Sequence, residues 1–234
     1  MKTLVKLFAL VLTVSVSAQS SKQTQYAAYL TASKTMWEKS IEQSKKDHGE
    51  NSFETAMAMY GLLNNTMATQ DEETFDDYKS KTIDLLKDII EENPNWGEPK
   101  AVLSSTYGLV MAYSPMKGMI LGMKANNLMD AAMENQPGSP LVQKLYGGSK
   151  LYTPEMFGGN PEEAVKAFQK SIDLYESKSE TSENWHYLDA MMRLAMSYRK
   201  TNQEAKAKAT LEQAIAKEPK YSWAKAALKE MEKS

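Results

Sequence analysis

The chain has 234 residues, of which 42% are hydrophobic and 25% are charged, and it contains no cysteine. This length allows one domain or two small ones, and the composition is that of a globular rather than a disordered protein. The net charge of −2 argues against nucleic acid as a main partner, because that role needs a dense basic surface. The absence of cysteine excludes disulfides, thiolate metal sites and cysteine nucleophiles.

The first 18 residues have the features of a cleavable secretory signal peptide. Lys2 and Lys6 give a basic start, segment 7–16 is apolar, and Ala18 ends a cleavage site of small residues. The apolar run is well short of the roughly 20 residues that span a bilayer. A buried first helix and an uncleaved anchor are the alternatives. The pattern therefore predicts a protein without a membrane span that is cleaved after Ala18 and is periplasmic or secreted.

Helix-forming residues dominate the rest of the chain. After Ala18 there are 23 Ala and 15 Met but only 4 Val and 7 Ile, and β-branched residues are the ones that favour sheets. Apolar residues recur at helical spacing, and no segment has the pattern of a strand. The pattern predicts ten helices, over residues 22–46, 52–68, 73–92, 98–113, 118–135, 139–152, 161–177, 184–200, 203–217 and 221–232.

The chain also repeats itself at a nearly constant offset. A shift of 39 residues carries Tyr107-Gly108 onto Tyr146-Gly147 and Pro115 onto Pro154. A small and a bulky residue recur four times, both in steps of 43, 39 and 43 residues. The small positions are Thr82, Ala125, Ala164 and Ala207, and the bulky ones are Leu86, Met129, Phe168 and Leu211. Self-similarity at such a period is typical of stacked helix-pair repeats.

The last copy, residues 188–221, resembles one tetratricopeptide repeat, a helix–turn–helix unit of about 34 residues. It keeps the family's spacing at Leu194, Ala195, Tyr198, Ala207, Leu211, Ala214 and Pro219. The earlier copies resemble the divergent repeats of exported bacterial tetratricopeptide proteins, with longer turns inside the repeat, and cover about residues 52–94, 98–137 and 139–177.

The resemblance implies an all-α fold, a right-handed solenoid of helix pairs. Residues 19–234 would form a single domain with a capping helix at each end, the last one over 221–232. An irregular helical bundle is the alternative.

The resemblance further implies a protein that binds a protein or peptide partner and is not an enzyme. In this family the first helix of each pair lines a concave groove. The expected groove residues include Met192, Arg193, Met196 and Arg199 in the last repeat, and Leu62 and Leu109 in earlier ones. Arg193 and Arg199 are the only two arginines. We expect one of them to bind an acidic group of a partner in the cell envelope, a surface ion pair being the alternative.

Two turns inside the repeats form a second candidate surface. Tyr113-Ser114-Pro115 is followed by Met116, and Tyr152-Thr153-Pro154 by Met156-Phe157. We predict that Tyr152 and Phe157 contact the partner. The alternatives are that these residues pack against neighbouring repeats or that the long turns fold over the groove.

No constellation of residues in the sequence predicts a catalytic site, a cofactor or a metal site. Six methionines lie within residues 111–133, and thioethers can bind Cu(I). Their helical spacing favours core packing instead. A different function also fits the pattern, namely a transport-accessory protein that holds a small solute between helices. The partner's identity and the oligomeric state stay open.

Overall fold

A computed structural model describes residues 20–233, so the predicted signal peptide and its cleavage site lie outside the described residues. Residues 20–233 form eleven α-helices and two short 3-10 turns, and contain no strand. The 3-10 turns are Pro115–Lys117 and Glu155–Phe157. The helices are α1 (Ser21–Thr31), α2 (Lys34–His48), α3 (Phe53–Thr69), α4 (Glu72–Glu92), α5 (Gly97–Tyr113), α6 (Gly118–Asn135), α7 (Pro140–Tyr152), α8 (Pro161–Ser177), α9 (Trp185–Lys200), α10 (Glu204–Lys217) and α11 (Ser222–Met231).

Consecutive helices pack against each other in pairs: α3 with α4, α5 with α6, α7 with α8, and α9 with α10. The first helices of these pairs, α3, α5, α7 and α9, also pack side by side in a row, and α11 follows on α10. Each pair buries its apolar face against the next pair, as in helical repeat proteins. The predicted all-α solenoid is confirmed.

The repeated small and bulky positions form the interior of the helix pairs. All eight are buried, at 7% exposure or less. Alanine and threonine let the helices approach closely, and Leu86, Met129, Phe168 and Leu211 fill the space between them. The periodicity of the sequence thus corresponds to the core of the fold.

Local capping explains where individual helices begin. The side chain of Asn160 accepts a hydrogen bond from the backbone N–H of Glu163 at 3.0 Å, and Pro161 occupies the first turn of α8. Asparagine is a favoured N-cap residue, and proline is favoured in the first turn because its missing N–H would have no partner there.

The expectation of one helix over 22–46 was wrong, because this segment forms two helices. Helix α1 ends at Thr31, Ala32 adopts a left-handed conformation with φ of 50°, and Ser33 caps α2. The Ser33 hydroxyl accepts from the backbone N–H of Met36 at 3.3 Å. The Ser33 side chain forms a cap bond that starts a new helix at this point. The break between the two helices lets α1 fold back onto α2.

Helix α1 connects the two ends of the solenoid. It packs against α2 and α3, and also against α9 and α11. Because α5 and α7 stand between α3 and α9 in the row of first helices, a helix that contacts both lies on the inner side of the curve. Trp37 of α2 reinforces this closure through an edge-to-face contact with Trp185 of α9, their ring centroids 5.4 Å apart. The chain's own first helices therefore fill part of the concave side.

Candidate functional site

A buried cluster of charged side chains lies where α7 and α9 face the inner side. Asp189 of α9 and Lys144 of α7 each expose 3% of their side chain, and the Lys144 Nζ donates to Asp189 Oδ2 at 2.9 Å. Arg193, one turn further along α9, donates from Nε to both oxygens of Asp189 at 2.9 and 3.0 Å. Two cations thus share one buried carboxylate.

Lys144 has two further neighbours on α9. Its Nζ lies 3.0 Å from His186 Nδ1 and 4.5 Å from the centroid of the Trp185 ring. Since the ammonium group can only donate, Nδ1 of His186 accepts and this ring is neutral in the cluster. The cluster of Lys144, Asp189 and Arg193 therefore carries one net positive charge.

Burial and charge act in opposition on these groups. Burial raises the pKa of the Asp189 carboxyl, but the charges of Arg193 and Lys144 outweigh it and hold this pKa well below its usual range. Burial lowers the pKa of Lys144, and the charge of Asp189 opposes that shift. Burial and then the charge of Lys144 lower the pKa of His186 well below its usual value.

Helix α1 covers one side of this cluster. The hydroxyl of Tyr29 donates to Asp189 Oδ1 at 3.3 Å and lies 2.5 Å from the hydroxyl of Tyr221. The hydroxyl of Tyr26 donates to Glu218 Oε2 at 2.8 Å. These contacts bring α1 onto the charged residues of α9, so a ligand on the inner side would meet α1 first.

On its other side the cluster reaches the surface through Arg193, whose side chain is 19% exposed. Its Nη1 donates to the hydroxyl of Tyr152 at 2.5 Å, and its guanidinium carbon lies 5.3 Å from the centre of the Tyr152 ring. The same hydroxyl is 3.7 Å from the sulfur of Met196. Within residues 20–233, Nη2 of Arg193 has no hydrogen-bond acceptor. We name Tyr152, Arg193 and Met196 the arginine site.

The other predicted binding residues lie apart from the arginine site. Leu62 and Met192 are buried in the two large hydrophobic clusters, at 0% and 3% exposure, and Leu109 is half-buried. Arg199 Nη2 lies 3.4 Å from Glu230 Oε1 on the surface. Phe157 is exposed at the tip of the second 3-10 turn. The structure thus brings together three of the eight predicted residues.

The two long turns do not fold over the groove. Met116, Met156 and Phe157 are 94%, 82% and 64% exposed, respectively. Of the two tyrosines that precede the turns, Tyr113 is half-buried and Tyr152 is 49% exposed. Tyr113 lies 4.2 Å from Phe75, centroid to centroid, and Tyr152 contacts Arg193.

Lys144 and Tyr29 belong to the site but were not predicted from the sequence. A signal for Lys144 exists, because it stands among the apolar residues Leu141, Val142 and Leu145 on the first helix of a repeat. A charged residue at a buried helical position requires a partner of opposite charge. Tyr29 gives no comparable signal, since a half-buried tyrosine on a short helix is ordinary.

A separate cleft of about 410 Å³ opens between α4, α5 and α6. Ile90, Leu103, Tyr107 and Leu128 give it an apolar floor, and Lys87, Glu91, Lys124 and Asn127 stand around it. Its volume is in the range of small-molecule sites, which are mostly apolar with a few polar groups.

Two further features bear on function. No group of three or more histidine, aspartate or glutamate side chains in the described part of the chain could hold a metal ion. Among the same residues, no helix has the length and hydrophobicity needed to cross a membrane.

Comparison with known proteins defines the class of the fold. A tetratricopeptide repeat protein from Thermus thermophilus has a similar structure, with a TM-score of 0.54 at 14% identity, over 90% of this chain and 98% of that one. The haemophore HusA from Porphyromonas gingivalis also has a TM-score of 0.54, at 18% identity, over 77% of this chain and 92% of that one. At these identities the likeness shows the fold alone.

The sequence itself matches the tetratricopeptide repeat family model over residues 189–221. No curated protein sequence matches the chain. Residues 189–221 are therefore a tetratricopeptide repeat, and the chain has the fold of proteins built from such repeats. This fold is typical of scaffolds for protein–protein interaction. Arg193 and Met196 of the arginine site belong to the matched repeat, and Tyr152 is the last residue of α7.

Proposed function

We propose that the protein is an exported scaffold that binds an acidic group of a protein or peptide partner in the cell envelope at the arginine site. The observation that carries this proposal is the charge imbalance around Asp189. Lys144 and Arg193 share that single carboxylate in a buried position, and a buried charge needs a partner. A carboxylate of the partner would supply the second negative charge.

The geometry of Arg193 supports this role. Its Nε edge is held by Asp189 and its Nη1 by Tyr152, which leaves Nη2 available at the surface. A guanidinium can bind carboxylates at two edges in fixed geometry, whereas lysine cannot. Met196 and Tyr152 next to it offer an apolar and an aromatic contact. The proposal includes no catalytic step and no cofactor.

Export is supported by the sequence alone. The basic start, the apolar segment 7–16 and the small residues up to Ala18 fit a signal peptide. We therefore expect the protein in the periplasm or outside the cell, with a new N-terminus at Gln19. Mass spectrometry of the protein from an envelope or culture fraction tests this expectation. An intact N-terminus in the exported fraction, or confinement to the cytoplasm, contradicts it.

Binding at the arginine site can be tested by affinity capture with matched variants. The tagged chain from residue 19 onward would capture partners from a native envelope extract as the wild type, as Arg193→Lys and as Arg199→Lys. We expect the dominant partner to be recovered about tenfold less with Arg193→Lys and unchanged with Arg199→Lys. Circular dichroism confirms that each variant is folded. Equal recovery by all three proteins contradicts the proposal.

The cleft between α4, α5 and α6 favours a second function, binding of a small ligand with an apolar body and an acidic group. Its floor is apolar, and Lys87 and Lys124 stand at its edge. A protein with the same fold is a haemophore, so haemin is a suitable first ligand. We expect an absorbance change on haemin titration that Lys87→Gln weakens and the distant Lys225→Gln does not. Absence of any change would remove haemin as a ligand of this cleft.

A further inference from the structure

Helix α6 is apolar on two opposite sides, and only one of them is covered. Ala125 and Met129 are buried against neighbouring helices, at 7% and 3% exposure. Met119 and Met123, one turn apart on the opposite side, are 91% and 69% exposed. A surface helix of a globular protein normally has one apolar side. Nothing within residues 20–233 covers the second side of α6.

The uncovered side continues onto the next repeat. Phe157 of the second 3-10 turn lines the same small cleft as Asn126, which lies one turn after Met123 on α6. Among the described residues nine large apolar side chains are exposed, and six belong to this surface. We name these six the methionine patch: Met116, Met119, Ile120, Met123, Met156 and Phe157. Exposed apolar patches larger than a few hundred Å² are typical of contact sites for a protein or a membrane.

Positive charge accompanies the methionine patch. Lys117 directly precedes the first residue of α6, and Lys124 follows Met123 on that helix, so both lysines are close in sequence to the apolar stripe. No acidic residue occurs between Glu98 and Asp130. Glu155 lies in the second turn, and Asp130 and Lys150 line the same small cleft as Phe157, so the lysines named here outnumber the carboxylates by three to two.

We propose that the methionine patch docks onto the surface of an anionic lipid bilayer. Long flexible apolar side chains bordered by lysines are typical of helices that lie in a membrane interface, where lysine reaches the headgroups. The patch lies on the outer side of the solenoid, so it can approach a flat surface without interference from the groove. A second copy of the chain fits less well, because its lysines would approach those of the first.

Vesicle co-sedimentation of the chain from residue 19 onward tests this proposal, since that chain lacks the apolar segment 7–16. One set of vesicles contains phosphatidylcholine only, and the other is one third phosphatidylglycerol. We expect binding to the anionic vesicles, weaker by at least about tenfold for Met119→Ser with Met123→Ser. Met67→Ser, a change at another exposed methionine, should bind like the wild type. Lys117→Gln with Lys124→Gln should remove the preference for anionic lipid.

Three outcomes would contradict the proposal. A wild type that stays in the supernatant with both vesicle types shows that lipid does not cover the patch. Binding that survives Met119→Ser with Met123→Ser places the lipid contact elsewhere. A dimer in analytical ultracentrifugation that dissociates with the same two substitutions assigns the patch to a second copy of the chain. Because Met119 is almost fully exposed, these substitutions leave the fold intact, which circular dichroism verifies.

Discussion

The inner side of α9 carries a buried charge, and the outer side of α6 carries exposed apolar side chains, but among residues 20–233 only the buried charge has partners. On α9, Asp189 is buried but has Lys144, Arg193 and Tyr29 around it. On α6, Met119 and Met123 face solvent, and no other helix in the described part of the chain covers them. A buried charge with partners stabilises the closure of the solenoid, whereas an exposed apolar side without one indicates an external contact. The two proposed binding surfaces therefore lie outside the groove and at its rim.

Among the substitutions that test this comparison, removal of Asp189 should lower the free energy of unfolding most. Asp189→Ala leaves the buried Lys144 and the partly buried Arg193 without a counter-charge, and we expect a loss of about 3–5 kcal/mol in the free energy of unfolding. Urea denaturation measures it. The control is Glu230→Ala, which removes the exposed partner of Arg199 and should cost less than about 1 kcal/mol. Similar losses for both variants would show that the cluster around Asp189 is not sealed from solvent.

The two sides of α6 can be compared directly with a single type of substitution. Met129→Ala creates a cavity in the core and should cost about 2–4 kcal/mol. Met119→Ala removes an exposed side chain and should change stability by less than about 0.5 kcal/mol. Thermal or urea unfolding of the pair measures the difference. A large cost at Met119 would mean that another part of the protein covers this side.

The glycines of three Tyr-Gly pairs, Gly61, Gly108 and Gly147, test how closely neighbouring helices approach each other. A Cβ at Gly61 would lie 2.2 Å from the Trp37 ring, whereas a Cβ at Gly108 would meet no atom within 4 Å. We expect Gly61→Ala to destabilise by about 1–3 kcal/mol through overpacking.

The control, Gly108→Ala, should stabilise α5 by up to about 1 kcal/mol because alanine is the better helix former. Gly147→Ala should lie between the two, since its Cβ would be 3.0 Å from the Phe168 ring. A stabilising effect at Gly61 would contradict the contact with Trp37, and with it the closure of the inner side.

The last prediction concerns how the free energy of unfolding depends on pH. Burial and Lys144 lower the pKa of His186 in the folded protein, whereas the unfolded chain takes up a proton near pH 6.5. The unfolded state therefore binds more protons as the pH falls, and the stabilising contribution present above pH 6.5 is lost below it. We expect a loss of about 1 kcal/mol between pH 7 and pH 5.5.

Urea denaturation at the two pH values measures this loss. His186→Gln, which keeps an acceptor near Lys144 but does not titrate, should largely abolish it. The other histidine provides the control, and His48→Gln should retain the full difference. An unchanged pH dependence in His186→Gln would mean that other groups cause it.

Local periodicity made most of the fold predictable. The steps of 43, 39 and 43 residues between small and bulky positions identified residues that are buried in each helix pair. The cap at Asn160 was also predictable from local sequence, because the residues that form it are three positions apart in the chain.

The candidate site was only partly predictable, because its contacts join distant parts of the chain. Lys144 and Asp189 are 45 residues apart, and Tyr29 and Asp189 are 160 apart. No local pattern relates them. The helical spacing of the methionines favoured core packing, which is right for Met129 but wrong for Met119 and Met123, because these two are exposed. Spacing shows that Met119 and Met123 share a side of α6, and only the packing of the neighbouring helices shows that this side is exposed.

Hydrogen exchange of α1 tests the central claim most directly, namely that the chain's first helix closes the inner side over the charges of α9. Mass spectrometry of the chain from residue 19 onward should show amides of Ser21–Thr31 exchanging nearly as slowly as those of Trp185–Lys200, although α1 begins two residues from the new terminus. Exchange of α1 at the rate of a frayed end would contradict the account, because the concave side would then be open.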